Sequence, residues 1–294
     1  MAMLPNPLPT LAIDPAGHSL GLDLPSGRLI NTTVDGPWHE PLMWCADEPA
    51  RPGDWSALLA ARRTAGLHPV LIGSGSSRER QPEDWELAPA MMSYAGDHDA
   101  EEVLEAFWEE YAADELGAPE DYPGRDTVVA LFGEPPTFDE KVAPFGAQWP
   151  GLAPAAVSGI DPDVLAAEVA ESLIEEDSWL ERCGLALVPA RRSADIPAAL
   201  GWTGPLNYEN DVARLCSVLR SWEDRFGIRV VALTFDQLVV SVAAPPTTPA
   251  EARAVAAEHF AFCPDNITQG HFGALDEYAA KAVLDQSVWS FWWD

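Results

Sequence analysis

Four groups of residues in this 294-residue chain have types and spacings that could do chemistry. His259 and Cys263 stand four apart, which on a helix puts imidazole and thiol on one face, a spacing that zinc ligands use. Two more ligands would be needed, and only Asp265 and His271 are near in sequence. The same pair also falls on an apolar stripe, where the imidazole reads as a hydrogen-bonded core residue and the thiol as a poor nucleophile. No metal or cofactor is therefore assigned. Asp265, Asn266 and Gln269 follow a helix stop at Pro264. Such side chains pin a loop by bonding freed carbonyls and turn amides, and they could also converge on a ligand.

Arg191 and Arg192 end an apolar run, and could grip a carboxylate or phosphate. Internal pairing with Glu258, Asp265 or Asp294 is the favoured expectation. The closing residues Trp289, Phe291 and Trp293 alternate onto one face of a strand, with Trp292 on the other, and Asp294 ends it. One face must be buried; exposure of the other would mark a binding patch. Gly73-Ser74-Gly75-Ser76-Ser77 invites a phosphate-loop reading but lacks a third glycine and a lysine at the needed spacing, so a surface loop is expected. No Ser-His-Asp or Cys-His nucleophile arrangement is legible.

These residues must be positioned by ordinary elements. Pro41–Cys45 and His68–Ile72 read as strands, with helix spacing over Gly53–Ala65 between them. Asp99 caps a helix to Leu116 in which Val103, Leu104, Phe107, Trp108 and Tyr111 form one stripe and Glu101, Glu105, Glu109 and Asp114 the opposite face. Thr127–Phe132 reads as a strand, and the proline-rich stretch 133–159 as a connector. Asp161-Pro162 opens a helix expected to run to about Trp179, ahead of a strand at Leu185–Ala190. Val212 to Phe226 is helical and stopped by Gly227, and Ile228–Phe235 and Leu238–Ala243 form a hairpin across Asp236-Gln237. Thr248-Pro249-Ala250-Glu251 is a capping box, a further helix carries Leu275, Tyr278, Ala279 and Ala282, and Ser287–Trp293 is the last strand. The fold class is α+β, with mixed or antiparallel sheets, helices packed on one face, and a C-terminal β-α-β-β-α-α-β unit. Three regions follow: acidic α/β residues 1–132, a connector plus helix at 133–180, and a C-terminal domain at 181–294.

The net charge of −30 is uneven: residues 1–180 carry 8 basic and 33 acidic side chains, residues 181–294 carry 9 and 14, and Gln81 to Gly124 contains no Lys or Arg. Such a field repels nucleic acid and anionic lipid and attracts basic proteins. Four scattered cysteines without CxxC spacing, no leader-like opening and no apolar run of membrane length point to free thiols in the cytoplasm.

Several strings carry a family resemblance. Leu187 to Arg192, Gly201-Trp202, Ser221 to Gly227, Ala244-Pro245-Pro246, Glu258 to Gly270 and Trp289 to Asp294 together resemble the bacterial family known as domain of unknown function 4253, over about residues 185–294. The preceding part looks like the variable extension of actinobacterial members. The resemblance implies domain limits and no activity. Two functions stay open: a non-enzymatic acidic protein binding a basic partner, possibly of immunity type, or an enzyme or small-ligand binder. The second would have an anion-holding pocket built from Arg191, Arg192, Glu258, Asp265, Asn266, Gln269, Trp292 and Asp294. Oligomeric state is not legible.

Overall fold

The alternation of β-branched runs with amphipathic stretches folds, among the described residues, into nine strands. The structure, a computed structural model, describes residues 5–73, 82–118, 125–134, 136–157, 159–175, 178–180 and 183–294. The glycine-serine stretch after Gly73 lies outside the described residues. The strands are β1 (Gly27–Ile30), β2 (Thr32–Thr33), β3 (Gly36–Pro37), β4 (Met43–Pro49), β5 (Leu67–Ile72), β6 (Gly184–Pro189), β7 (Ile228–Leu233), β8 (Gln237–Val242) and β9 (Val288–Trp292). Seven form one mixed sheet in the order β1-β4-β6-β5-β7-β8-β9, in which only β5 and β7 run parallel, and β2–β3 is a separate small pair. The α+β class is as expected.

The chain forms two units, each drawn from distant parts of the sequence. The first comprises residues 1–98, 155–244 and 287–294 and contains the whole sheet; the second comprises 99–154 and 245–286 and is helical. These units and the linear partition at 132 and 180 divide the chain differently.

In the first unit the sheet is covered on both faces rather than one. Pro162–Ile174 packs Leu165, Val169 and Leu173 with Leu71, Leu187, Val231 and Val239. Val212–Phe226 brings Trp222 to the other face, stacked on Phe291 at 5.4 Å and edge-on to Trp289 at 5.6 Å. The strand period of two explains the sorting: Val239 faces one layer, while Leu238 and Val240, register partners of Phe291 and Trp289, face the other. Trp289, Phe291 and Trp293 are buried, and Trp292 on the opposite face is half-buried. Trp202 packs edge-on against Trp293 at 5.6 Å and donates its indole N–H to the Thr234 carbonyl at 2.9 Å.

In the second unit Ala100–Gly117 buries the expected stripe. Trp108 contacts the edges of Phe138, Phe145, Trp149 and Phe260, and donates to Gly146 O at 3.1 Å. Helix starts follow the caps. Asp99 accepts from the Glu101 and Glu102 amides, Asp161 from that of Asp163, and Thr248 and Glu251 form the reciprocal box.

Three local expectations are corrected. Thr127–Phe132 is not a strand but part of a helix over Arg125–Phe132, whose Val129 carbonyl accepts from the Gly133 amide at 2.9 Å. A short apolar run does not distinguish strand from helix by period alone. The helix after Asp161 stops at Ile174, and Trp179, expected near its end, stands 55% exposed. Gly53–Ala65 is two short helices, Asp54–Leu58 and Ala61–Ala65, separated where Leu59 takes a tighter i−3 bond to Ser56.

Candidate functional site

Strand ends and a helix flank build the first candidate, a cleft of about 380 Å³ in the sheet-bearing unit. It is lined by Arg62, His68, Arg191, Arg192, Glu223 and Arg229, with Ser193 at its wall. Arg62 comes from the short Ala61–Ala65 helix, His68 from β5, Arg191 and Arg192 from the turn after β6, and Arg229 from β7. The antiparallel β5–β6 pairing sets His68 opposite Val188, close to that turn.

Charges here alternate along a chain of ion pairs. Asp163 Oδ1 accepts from Arg62 Nη1 at 2.6 Å and from Arg229 Nε at 2.7 Å. Arg229 Nη1 reaches Glu223 at 3.4 Å, Arg192 Nε reaches the other Glu223 oxygen at 3.3 Å, and the rest of the Arg192 fork grips Asp224. Burial pushes the Asp163 carboxyl up, and hydrogen bonding and charge from Arg229 and Arg62 overcome that, holding it below its ordinary value. His68 is pushed down to about 4, first by burial and then by the charges of Arg62 and Arg229. Its ring hydrogen-bonds the Ala190 carbonyl, so it stands as a neutral imidazole with one N–H engaged. Arg191 is exposed and lies 5.8 Å over the Tyr94 ring, which Arg220 approaches to 5.1 Å while gripping Asp195 with two nitrogens. Arg192 thus pairs with Glu223 and Asp224, not with the carboxylates anticipated for it.

Those carboxylates and amides fall elsewhere. Glu258 is fully buried in the helical unit, where Oε1 accepts the Ala153 amide at 2.7 Å. Asp265 to Thr268 form a single helical turn, and Gln269 Nε2 donates back to Asp265 Oδ1 at 2.8 Å. Asn266 bridges two elements: Cys263 Sγ donates to its Oδ1 at 3.5 Å, and its Nδ2 donates to Tyr278 Oη at 3.2 Å. Tyr278 Oη lies 3.0 Å from His259 Nδ1. His259 and Cys263 are fully buried in this thiol–amide–phenol–imidazole chain. Among the described residues no group of three or more His, Cys, Asp or Glu could hold a metal. Asn207 donates to the Asp294 carbonyl at 2.7 Å, fixing the chain end beside β9.

A Ser–His–Asp grouping does form, from Ser93, His98 and Asp211. Ser93 Oγ lies 2.6 Å and Asp211 Oδ2 3.9 Å from the same His98 Nε2. A nucleophile relay needs the two oxygens on opposite ring nitrogens. Asp211 is moreover occupied as the cap of Val212–Phe226, accepting from Ala213 and Ser93 amides. The grouping is a helix-start clamp.

The second candidate is the outer flank of Ala100–Gly117. Glu101, Glu102, Glu105, Glu109, Glu110 and Asp114 are all exposed, and among the described residues none has an ion-pair partner. Glu115 alone is neutralised, by Lys141 at 2.8 Å. The inner flank is locked by the Trp108 cluster, so these carboxylates stay turned outward.

The fold and its sites define a two-unit α+β protein with a closing strand of buried aromatics. Residues 184–294 match the family model described as domain of unknown function (DUF4253), and the chain carries a domain of that family over those residues. The domain supplies β6 to β9 and Val212–Phe226 to the first unit, and Pro249–Phe262 with the helices after it to the second. No curated protein and no solved structure matches the chain. No described helix is long and apolar enough to cross a membrane.

Arg191 and Arg192, singled out in the sequence, line this cleft, and Arg62, His68 and Arg229 beside them are not among the site residues named from the sequence. A signal did exist for two of them: His68 and Arg229 each stand inside an otherwise apolar run, as in Ile228-Arg229-Val230, whereas Arg62 sits beside Arg63 and Thr64 with no such mark.

Proposed function

We propose that the protein is a non-enzymatic binding protein that docks a basic protein on the exposed flank of Ala100–Gly117. The observation that supports this is the row of six outward carboxylates, with no cation of the described residues paired to them. Like charges at i,i+4 destabilise a helix by about 0.2–0.5 kcal/mol per pair, and a partner presenting Lys or Arg relieves that cost on binding. The surrounding charge of −30 adds long-range attraction for such a partner and repulsion for nucleic acid and anionic lipid. Four free, buried cysteines suit a reducing compartment such as the cytoplasm. An immunity-type inhibitor of a basic toxin is one form this activity would take.

The test is capture from the native host at low salt, with wild type beside a Glu105→Lys/Glu109→Lys variant. A basic protein held by wild type, released by high salt and absent from the variant is the expected result. Identical captures by both proteins would dismiss the reading.

A further inference from the structure

The arginine cleft lies in the other unit from the acidic helix, so its role is independent of that helix. Four guanidinium groups line it against one carboxylate, Glu223, within a protein of net charge −30. Whether such a ladder only holds the fold depends on how many donors its pairs consume.

Arg192 is nearly spent: Nε is on Glu223, Nη1 on Asp224, and Nη2 on Asp224 and the Arg220 carbonyl. Arg62 and Arg229 are not. A guanidinium has five N–H donors in a fixed plane. Among the described residues Arg62 uses one nitrogen, Nη1, on Asp163. Arg229 uses Nε and Nη1, on Asp163, Glu223 and the Ile228 carbonyl, which leaves Nη2. Asp163 Oδ1 is shared by both, so it holds the two guanidinium groups side by side. The cleft therefore holds two immobilised forks with unspent N–H groups. Beside them lie the neutral His68 ring and Ser193, whose Oγ accepts from the Val230 amide at 2.8 Å and keeps its own proton to donate.

The geometry points to a binding site for a compact phosphate group, free or at the end of a small monoester, held by Arg62, Arg229 and Arg191 with Ser193 as a neutral donor. A tetrahedral oxyanion has enough acceptor oxygens to meet two neighbouring guanidinium groups, and Arg-to-phosphate contacts are commonly forked. The volume suits the phosphate with a few carbon atoms attached. Gly66 also borders the cleft, and a Cβ built on it would meet open space, so no side chain crowds this wall.

Calorimetric titration of the full chain with inorganic phosphate, glycerol 3-phosphate and glycerol tests this. Saturable binding of either phosphate-bearing probe, none of glycerol, and about tenfold weaker binding in Arg62→Gln are expected. Arg62→Gln leaves Asp163 paired with Arg229, and an unchanged urea midpoint verifies its fold. Arg191→Gln, at an exposed position, provides a second cleft variant expected to weaken binding. Arg253→Gln, which alters only a surface pair with Asp276, serves as the charge control and should bind as wild type does. No saturable binding of either phosphate probe, or equal weakening by the control, would overturn the proposal; neither result would touch the acidic helix.

Discussion

Replacing Glu105 by lysine should stabilise the free protein while removing part of the proposed docking surface. Glu105 is exposed and sits at helical spacing from three other exposed acids: Glu101 and Glu109 four residues away, and Glu102 three away. Each like-charge pair costs about 0.2–0.5 kcal/mol, and each opposite pair gains a similar amount. Glu101 and Glu102 precede the new lysine, the favourable order along a helix; Glu109 follows it, the weaker one. Helix propensities of Glu and Lys are close, and position 105 is beyond the first turn, so neither propensity nor the helix dipole offsets the change. The sum is a gain of about 1–2 kcal/mol at low ionic strength. Glu105→Gln, which only removes repulsion, should give about half. Urea unfolding at about 10 mM and about 1 M salt reads this out, because the Debye length falls from about 30 Å to about 3 Å and should erase most of the gain. A loss of stability, or a gain indifferent to salt, would refute the reasoning that these carboxylates are unpaired and mutually repelling.

Two further outcomes follow from the sheet-bearing unit. The His68 imidazole should titrate near 4 by NMR, because burial and then Arg62 and Arg229 disfavour its cation. Between that midpoint and the ordinary 6.5 the unfolded chain carries a proton that the folded chain lacks. Stability should therefore fall by up to about 3 kcal/mol as pH drops through this window and be flat above it; a midpoint near 6.5 contradicts the buried placement. Gly201→Ala should lower stability by about 2–4 kcal/mol, from the left-handed backbone and from overpacking. Gly201 has φ +67°, and a Cβ there would lie 2.2 Å from the Pro89 nitrogen. A urea midpoint unmoved by that substitution would contradict the close approach.

What could be read in advance was whatever is local. Asp99, Asp161-Pro162, the Thr248–Glu251 box and the Gly227 stop each act within a few residues, and each marks a helix end in the structure. The alternation in Trp289 to Trp293 likewise sorted its own faces. What escaped was pairing at a distance. Nothing near β5 announces that it runs parallel to β7, and Asp163 meets Arg62 and Arg229 across 101 and 66 residues. Arg191 and Arg192 were sensible candidates whose companions came from strands that only the sheet order assembles. Glu258 looked like a free acid beside a polar loop; its burial against the Ala153 amide depends on a segment 105 residues earlier. Thr127–Phe132 misled for the opposite reason: a short run of β-branched residues has too few turns to show its period.

We propose that a basic partner docks on the acidic flank of Ala100–Gly117. Zero-length carbodiimide coupling of the captured complex, read by mass spectrometry, joins partner lysines directly to the carboxylates they touch. The links should fall on Glu101, Glu105, Glu109, Glu110 or Asp114. Links confined to carboxylates of the sheet-bearing unit, such as Asp224, would place the partner elsewhere and contradict the account.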